Sequence, residues 1–167
     1  IYFFYITAIY SQKWTWVGGD VGSANYLNLI AVPGTKGLAA RSNYPGSRDF
    51  ANTWTDKDGN FWLYGGRGYQ GINEGQKAGG ALNDLWKYDL STGYWTWVGG
   101  DVGSANYLNK IAVPGTKGEA ASSNYPGSRA NSVTWIDNDG NFWVFGGSGY
   151  QGINEGQKAG GVLNDLW

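Results

Sequence analysis

The 167-residue sequence contains no cysteine, no histidine and no methionine. Without cysteine there are no disulfides, no thiolate nucleophiles and no zinc–thiolate sites, and without histidine the commonest general base and metal ligand is gone. Most enzyme templates fall with these two residues, so we expect a chain that is not an enzyme and holds no metal and no cofactor. The lack of cysteine does not choose a compartment, because cysteine-free chains are at home on either side of a membrane. An excess of charge of one sign is missing too: 12 Lys and Arg against 13 Asp and Glu give a formal net charge of −1. The basic residues are scattered and form no stripe, which removes the electrostatic footprint that nucleic acid requires. Long apolar runs are limited to the first ten residues, IYFFYITAIY. That run is too short for a bilayer span but the right length for the hydrophobic region of a secretory signal, with Ser11 a small residue at a cleavage point. We read residues 1–11 as a signal-peptide remnant whose start is missing from a fragment. The alternative is an edge strand, since Tyr5 stands where Trp86 lies one repeat later.

What the chain has in quantity is 29 glycines, 10 tryptophans and 17% aromatic residues. Glycine with aromatics and few helix formers is an all-β composition of short strands and tight turns. From Trp14 the chain repeats without a gap: Trp14 returns as Trp95, Trp54 as Trp135, Gly65 as Gly146 and Asn83 as Asn164, each 81 residues later. Residues 14–86 can be laid on 95–167 with 13 substitutions in 73 positions. One unit is therefore one structural module, and a module unable to bury both faces alone needs neighbours.

Within the first unit we expect four strands, at 50–55, 61–64, 82–88 and 94–98. The second gives 131–136, 142–145 and 163–167 and stops before its fourth strand, and a lone outer strand at 14–17 precedes the first. The run Phe61, Trp62, Leu63, Tyr64, stopped by Gly65 and Gly66, reads as a strand buried on both faces. Asp56-Lys57-Asp58-Gly59-Asn60 and its second copy from Asp137 read as short hairpin loops; a calcium loop would need further ligands and a distal glutamate that are missing. Strand parity puts the two short turns at one end and the long connections, 67–81 and 99–129, at the other. Long connections without structure of their own are commonly functional. These carry Tyr26, Tyr44, Tyr69, Tyr107, Tyr125 and Tyr150, with Glu74 and Glu155 and the amides of Asn25, Asn73, Asn106 and Asn154 nearby. Aromatic faces with polar partners suit a glycan or a polar protein surface, although the same residues also serve to pack a loop onto its sheet. Arg48 and Arg129 are expected to satisfy loop carbonyls rather than bind anions. Trp54, Trp62, Trp86, Trp95, Trp97, Trp135 and Trp143 are expected between neighbouring units. No pair of carboxylates can be defended as a glycosidase site.

A set of spaced elements resembles a known family. A double glycine ends the second strand (Gly65-Gly66, Gly146-Gly147), a tyrosine and a tryptophan close the unit (Tyr88, Trp95), and Pro45-Gly46-Ser47-Arg48 and Pro126-Gly127-Ser128-Arg129 open it. This looks like the kelch repeat, in its long bacterial version, over essentially residues 14–167. The resemblance implies a β-propeller, usually of about six or seven blades, of which two are recorded here, with further blades in the same chain. With the signal-like start and the tyrosine-bearing long loops, we expect a secreted or surface-exposed bacterial protein that binds a glycan or protein through its long-loop face. The alternatives are an adhesion scaffold or part of a galactose-oxidase-like enzyme. The copper site of that enzyme uses tyrosines, histidines and a cysteine, and the last two are absent here. Thr7 stands opposite Trp14 where the family has tyrosine, the one departure from the pattern.

Overall fold

A computed structural model describes residues 13–26, 28–73, 75–154 and 157–167. The expectation for residues 1–11 therefore lies outside the described residues. The described chain is all-β, with helix confined to two 3-10 turns, Ala24–Tyr26 and Ala105–Tyr107.

The largest sheet is a four-stranded antiparallel meander. Its strands are β2 (Asn52–Thr55), β3 (Phe61–Tyr64), β6 (Leu85–Asp89) and β7 (Tyr94–Gly99), hydrogen-bonded in that order. Alternation sets the faces of β2, where Asn52 and Trp54 are buried and Thr53 and Thr55 exposed. With Trp54 opposite Trp62, Asn52 opposite Tyr64 and Tyr64 opposite Leu85, these side chains form one face, which we call the front. Leu63, Trp86 and Trp97 are in register on the back. The expected hairpin joins β2 to β3. Asp56 Oδ1 accepts the Asp58 and Asn60 amides at 3.0 and 2.9 Å, and Oδ2 accepts Trp62 Nε1–H at 2.8 Å. Asp137 repeats the arrangement with Asp139, Asn141 and Trp143.

Several expected boundaries need correction. The strand expected at 50–55 starts at Asn52, because Phe50 takes a positive φ of 50° and separates it from a two-residue strand β1 (Arg48–Asp49). Asn131, with φ 57°, does the same between β8 (Arg129–Ala130) and β9 (Val133–Ile136). The strand expected at 82–88 begins at Leu85, since Leu82 is spent on a hydrogen bond to Gly66 O at 2.9 Å. Residues 14–17 pair with nothing among the described residues, and Trp14 is 92% exposed. Residues 163–167 form no strand: Leu166 makes an isolated bridge to Phe145, Trp167 exchanges two main-chain bonds with Val144 on β10 (Phe142–Phe145), Asp165 O accepts Gly146 N–H at 3.0 Å and Leu163 N–H donates to Gly147 O at 2.8 Å.

The larger correction concerns 67–81, expected as a loop. It is a β-hairpin, β4 (Arg67–Asn73) with β5 (Gln76–Ala81), in a sheet ordered β1-β4-β5. The second unit repeats it as β11 (Ser148–Asn154) with β12 (Gln157–Val162), beside β8. Glycine hid the period-two pattern, and packing is why glycine stands there. A Cβ on Gly71 would run into the backbone of Ser104 and Ala105, and one on Gly79 would lie 3.2 Å from the Tyr69 ring.

The two units join front to back. Trp54 and Tyr64 on the front of the first sheet bury against Val144, with Phe142 and Trp167 beside it. Trp54 stacks on Phe142 at 5.4 Å and its Nε1–H donates to the carbonyls of Trp135 and Trp143, both at 3.2 Å. Tyr64 Oη donates to Pro126 O at 2.8 Å, and Ser132 N–H to Asn52 Oδ1 at 2.9 Å. The expected inter-unit role fits Trp54 and Trp62. Trp86, Trp95 and Trp97 instead pack with Ala31 and Val102 of the connecting segments.

Candidate binding cleft

The site is placed by a buried anchor that occurs twice. Arg48 makes two 2.7 Å bonds to the carboxylate of Asp84 and a third to Gly65 O at 3.0 Å, with the two side chains 5% and 0% exposed. Trp86 Nε1–H completes the carboxylate at 2.7 Å. Arg129, Asp165 and Trp167 repeat this at 2.7–2.8 Å. Burial alone would raise the Asp165 pKa, but the hydrogen bonds from Arg129, Trp167 and Gln151 outweigh it and hold the carboxyl well below the usual range. These arginines satisfy carbonyls as expected, but their main partners, Asp84 and Asp165, were not anticipated.

The double glycines let three segments meet at this anchor. Gly65 and Gly66 have φ of 63° and 95°; a Cβ on Gly65 would lie 2.5 Å from Arg129 O, and one on Gly66 2.6 Å from Asp49 O. Gly66 N–H donates to Arg129 O at 2.9 Å, so this pair also ties the two units together. Gly146 and Gly147 take the same conformation, with φ of 64° and 90°. Tyr88 and Trp95 face each other across β6 and β7, ring centroids 5.0 Å apart.

Held in this way, the two hairpins stand side by side and enclose an open cleft of ≈ 1330 Å³. Arg67, Tyr69 and Lys77 line it from the first unit, Ser148, Tyr150 and Lys158 from the second, over the glycine backbone of β5 and β12. Period two explains the first set. Arg67 is opposite Ala81 and Tyr69 opposite Gly79, and Lys77 shares the face of Gly79 two residues on. Each tyrosine lies on a glycine of its own hairpin, Tyr69 on Gly79 and Tyr150 on Gly160, so part of each ring serves packing. Among the described residues the lining carries Arg67, Lys77, Lys158 and Arg48, the last bonded to Asp84, and the carboxylate of Asp49. Lys158 Nζ also donates to Leu108 O at 3.1 Å.

Of the tyrosines singled out from sequence, Tyr69 and Tyr150 are brought together here. Tyr44 and Tyr125 are not: each closes an isolated bridge in its connecting segment, to Val32 and Val113, and each is 37% exposed. Tyr26 and Tyr107 end the two 3-10 turns, and Glu74 and Glu155 lie outside the described residues. Sequence reasoning missed Arg67, Lys77, Lys158 and Asp49. For the two lysines the recurrence of Gln-Lys-Ala-Gly-Gly at 76–80 and 157–161 was the available signal; Arg67 and Asp49, replaced by Ser148 and Ala130 in the second unit, had none. The connecting segments are partly structural as well: Gly37 N–H and Ala40 N–H donate to Trp97 O and Trp95 O at 2.8 and 3.4 Å, covering the outer edge of β7.

No protein-family model, no curated protein and no solved structure matches this chain.

Proposed function

We propose that the chain is part of a kelch-type β-propeller, two repeats of a non-enzymatic binding module of a secreted or surface-exposed protein. Its ligand is a glycan, held in the cleft between the repeated hairpins. The observation that carries this reading is the cleft itself: two equivalent hairpins present Tyr69 and Tyr150, with Arg67, Lys77 and Lys158, over a floor of glycine backbone. The four-stranded meander and the front-to-back joining of units support the blade interpretation. A protein ligand is less well served, because tight protein interfaces centre on apolar or aromatic anchors in dry pockets and this cleft offers two half-buried tyrosines. Among the described lining residues Arg67 and Lys158 stand against the single carboxylate of Asp49, which favours a sugar bearing carboxylate or sulfate groups over a neutral one.

Titration with polygalacturonate and with dextran, followed by calorimetry, tests this. The acidic polymer is expected to bind, more weakly as salt is raised, and the variant R67S/K77S/K158S to lose at least about tenfold in affinity, ~1.4 kcal/mol. No binding to any acidic or neutral glycan on an array, with a folded protein, would refute the reading.

A further inference from the structure

We infer, resting on the glycan reading of the cleft, that the ligand is an oligosaccharide lying across both hairpins, with one sugar on Tyr69 and Lys77 and another on Tyr150 and Lys158. Each residue of the first pair stands 81 positions before its counterpart in the second, and all four line the one cleft. Their hairpins are built alike. Tyr69 is opposite Gly79 and Tyr150 opposite Gly160, and the pairing shifts register at the same place in both, between Tyr69 and Gly71 and between Tyr150 and Gly152. A Cβ on Gly79 or Gly160 would lie 3.2 or 3.0 Å from the ring of its tyrosine, so both rings rest on bare backbone and both stay half-buried. Each hairpin thus offers a ring face, an ammonium group two residues from the glycine, and exposed backbone. One acidic pyranose needs the same set: a surface for its C–H face, a cation for its carboxylate and polar groups that fix its orientation.

The cleft has room for both sugars. Pockets that bury one drug-sized molecule run to ~300–1,000 Å³, and this one reaches ≈ 1330 Å³. A single sugar is smaller than such a molecule and leaves much of the space unfilled. Among the described lining residues whose counterparts also line the cleft, the halves differ only where Arg67 of the first is Ser148 of the second. Arg67 Nη2 donates to Ser148 Oγ at 3.5 Å, so the guanidinium crosses the seam between the hairpins. It is placed to hold an acidic group of a chain that passes from one hairpin to the other. Joining two sugars makes the second contact intramolecular, and affinity for the chain should exceed that for the monosaccharide by ~10²-fold or more.

Calorimetry with galacturonate oligomers of increasing length, from the monosaccharide to the polymer, is the test, together with amide NMR shifts on adding the monosaccharide. Affinity should climb steeply with length until the oligomer spans both hairpins and then level off. The monosaccharide should shift amides in both 67–81 and 148–162. Gly161→Glu blocks the second half: a Cβ there meets nothing within 4 Å, and circular dichroism should match the wild type. This variant should confine the monosaccharide's shifts to 67–81 and bring long oligomers down to nearly the monosaccharide's affinity; if it unfolds, Lys158→Glu blocks the same half. Affinity independent of length, monosaccharide shifts on one hairpin alone in the wild type, or a folded Gly161→Glu that keeps the full gain with length would each overturn the inference and leave the glycan reading standing. No binding at any length, with a folded protein, would overturn the inference, and silence across the whole glycan array would take the glycan reading with it.

Discussion

Single residues carry stability here mainly through buried polar groups. The Arg129 side chain is 0% exposed and paired with Asp165, so Arg129→Met leaves that carboxylate without its main partner. The expected cost is ~3 to 5 kcal/mol, read as a shift in the urea midpoint. Tyr64 offers a milder case, because the chain itself places phenylalanine at the equivalent position 145. Tyr64→Phe removes the bonds to Pro126 O and Gly127 O and should cost about 0.5–1.5 kcal/mol. Burial pushes the Tyr64 phenol well above its ordinary value. Its contribution is therefore present at neutral pH and lost as pH rises past the ordinary tyrosine range, a loss that Tyr64→Phe should not show.

The turn aspartates act in the opposite direction. Burial would raise Asp56, but hydrogen bonds from Trp62, Asn60 and Asp58 bring it to about 2. Asn141 first, then Trp143 and two turn amides, likewise bring Asp137 to about 2. A carboxyl depressed in the folded state stabilises above its ordinary value of 3.8 and loses that effect as pH falls towards 2. The melting temperature should fall between these limits, and less steeply in Asp56→Asn with Asp137→Asn than in wild type.

At the scale of elements, legibility followed the side chains. The bounds of strand 61–64 were readable to the residue, because four apolar residues end at a double glycine that no other residue can replace without striking Arg129 O or Asp49 O. Its expected burial on both faces was not met: Phe61 is 47% exposed, and Trp62 and Leu63 are half-buried. The hairpin turns were readable from Asp and Gly at fixed places. Hairpin β4–β5 was not. With Gly68, Gly71, Gly79 and Gly80 in it, the stretch has too few side chains to show alternation, and what makes it a hairpin is a tyrosine on its opposite strand and a neighbouring backbone that tolerates nothing larger than hydrogen. The Arg48–Asp84 anchor was invisible for another reason: 36 residues separate the partners, and only the folded chain brings them to 2.7 Å. If Tyr69 holds β4 to β5 by covering Gly79, Tyr69→Ala should speed amide hydrogen exchange across 67–81 and leave the four-stranded sheet protected. Equal acceleration in both would mean the hairpin is not a separate cooperative piece.

For the whole molecule, the repeat was legible and its consequence only in part. Period and strand order came from sequence, as did the placing of the 67–81 and 99–129 connections at one end. Gln70 Nε2–H bonding Asp101 O at 2.8 Å and Asn109 N–H bonding Ala81 O at 2.9 Å show the two meeting there. What sequence missed was that the cleft belongs to neither unit: Tyr69 with Lys77 and Tyr150 with Lys158 become one site only because front-to-back packing sets the hairpins next to each other. Hydrogen exchange measured with and without polygalacturonate tests that claim most directly. Slowed exchange confined to 67–81 and 148–162 is the predicted result; protection centred on the 56–60 and 89–93 turns, or on one hairpin alone, would contradict it.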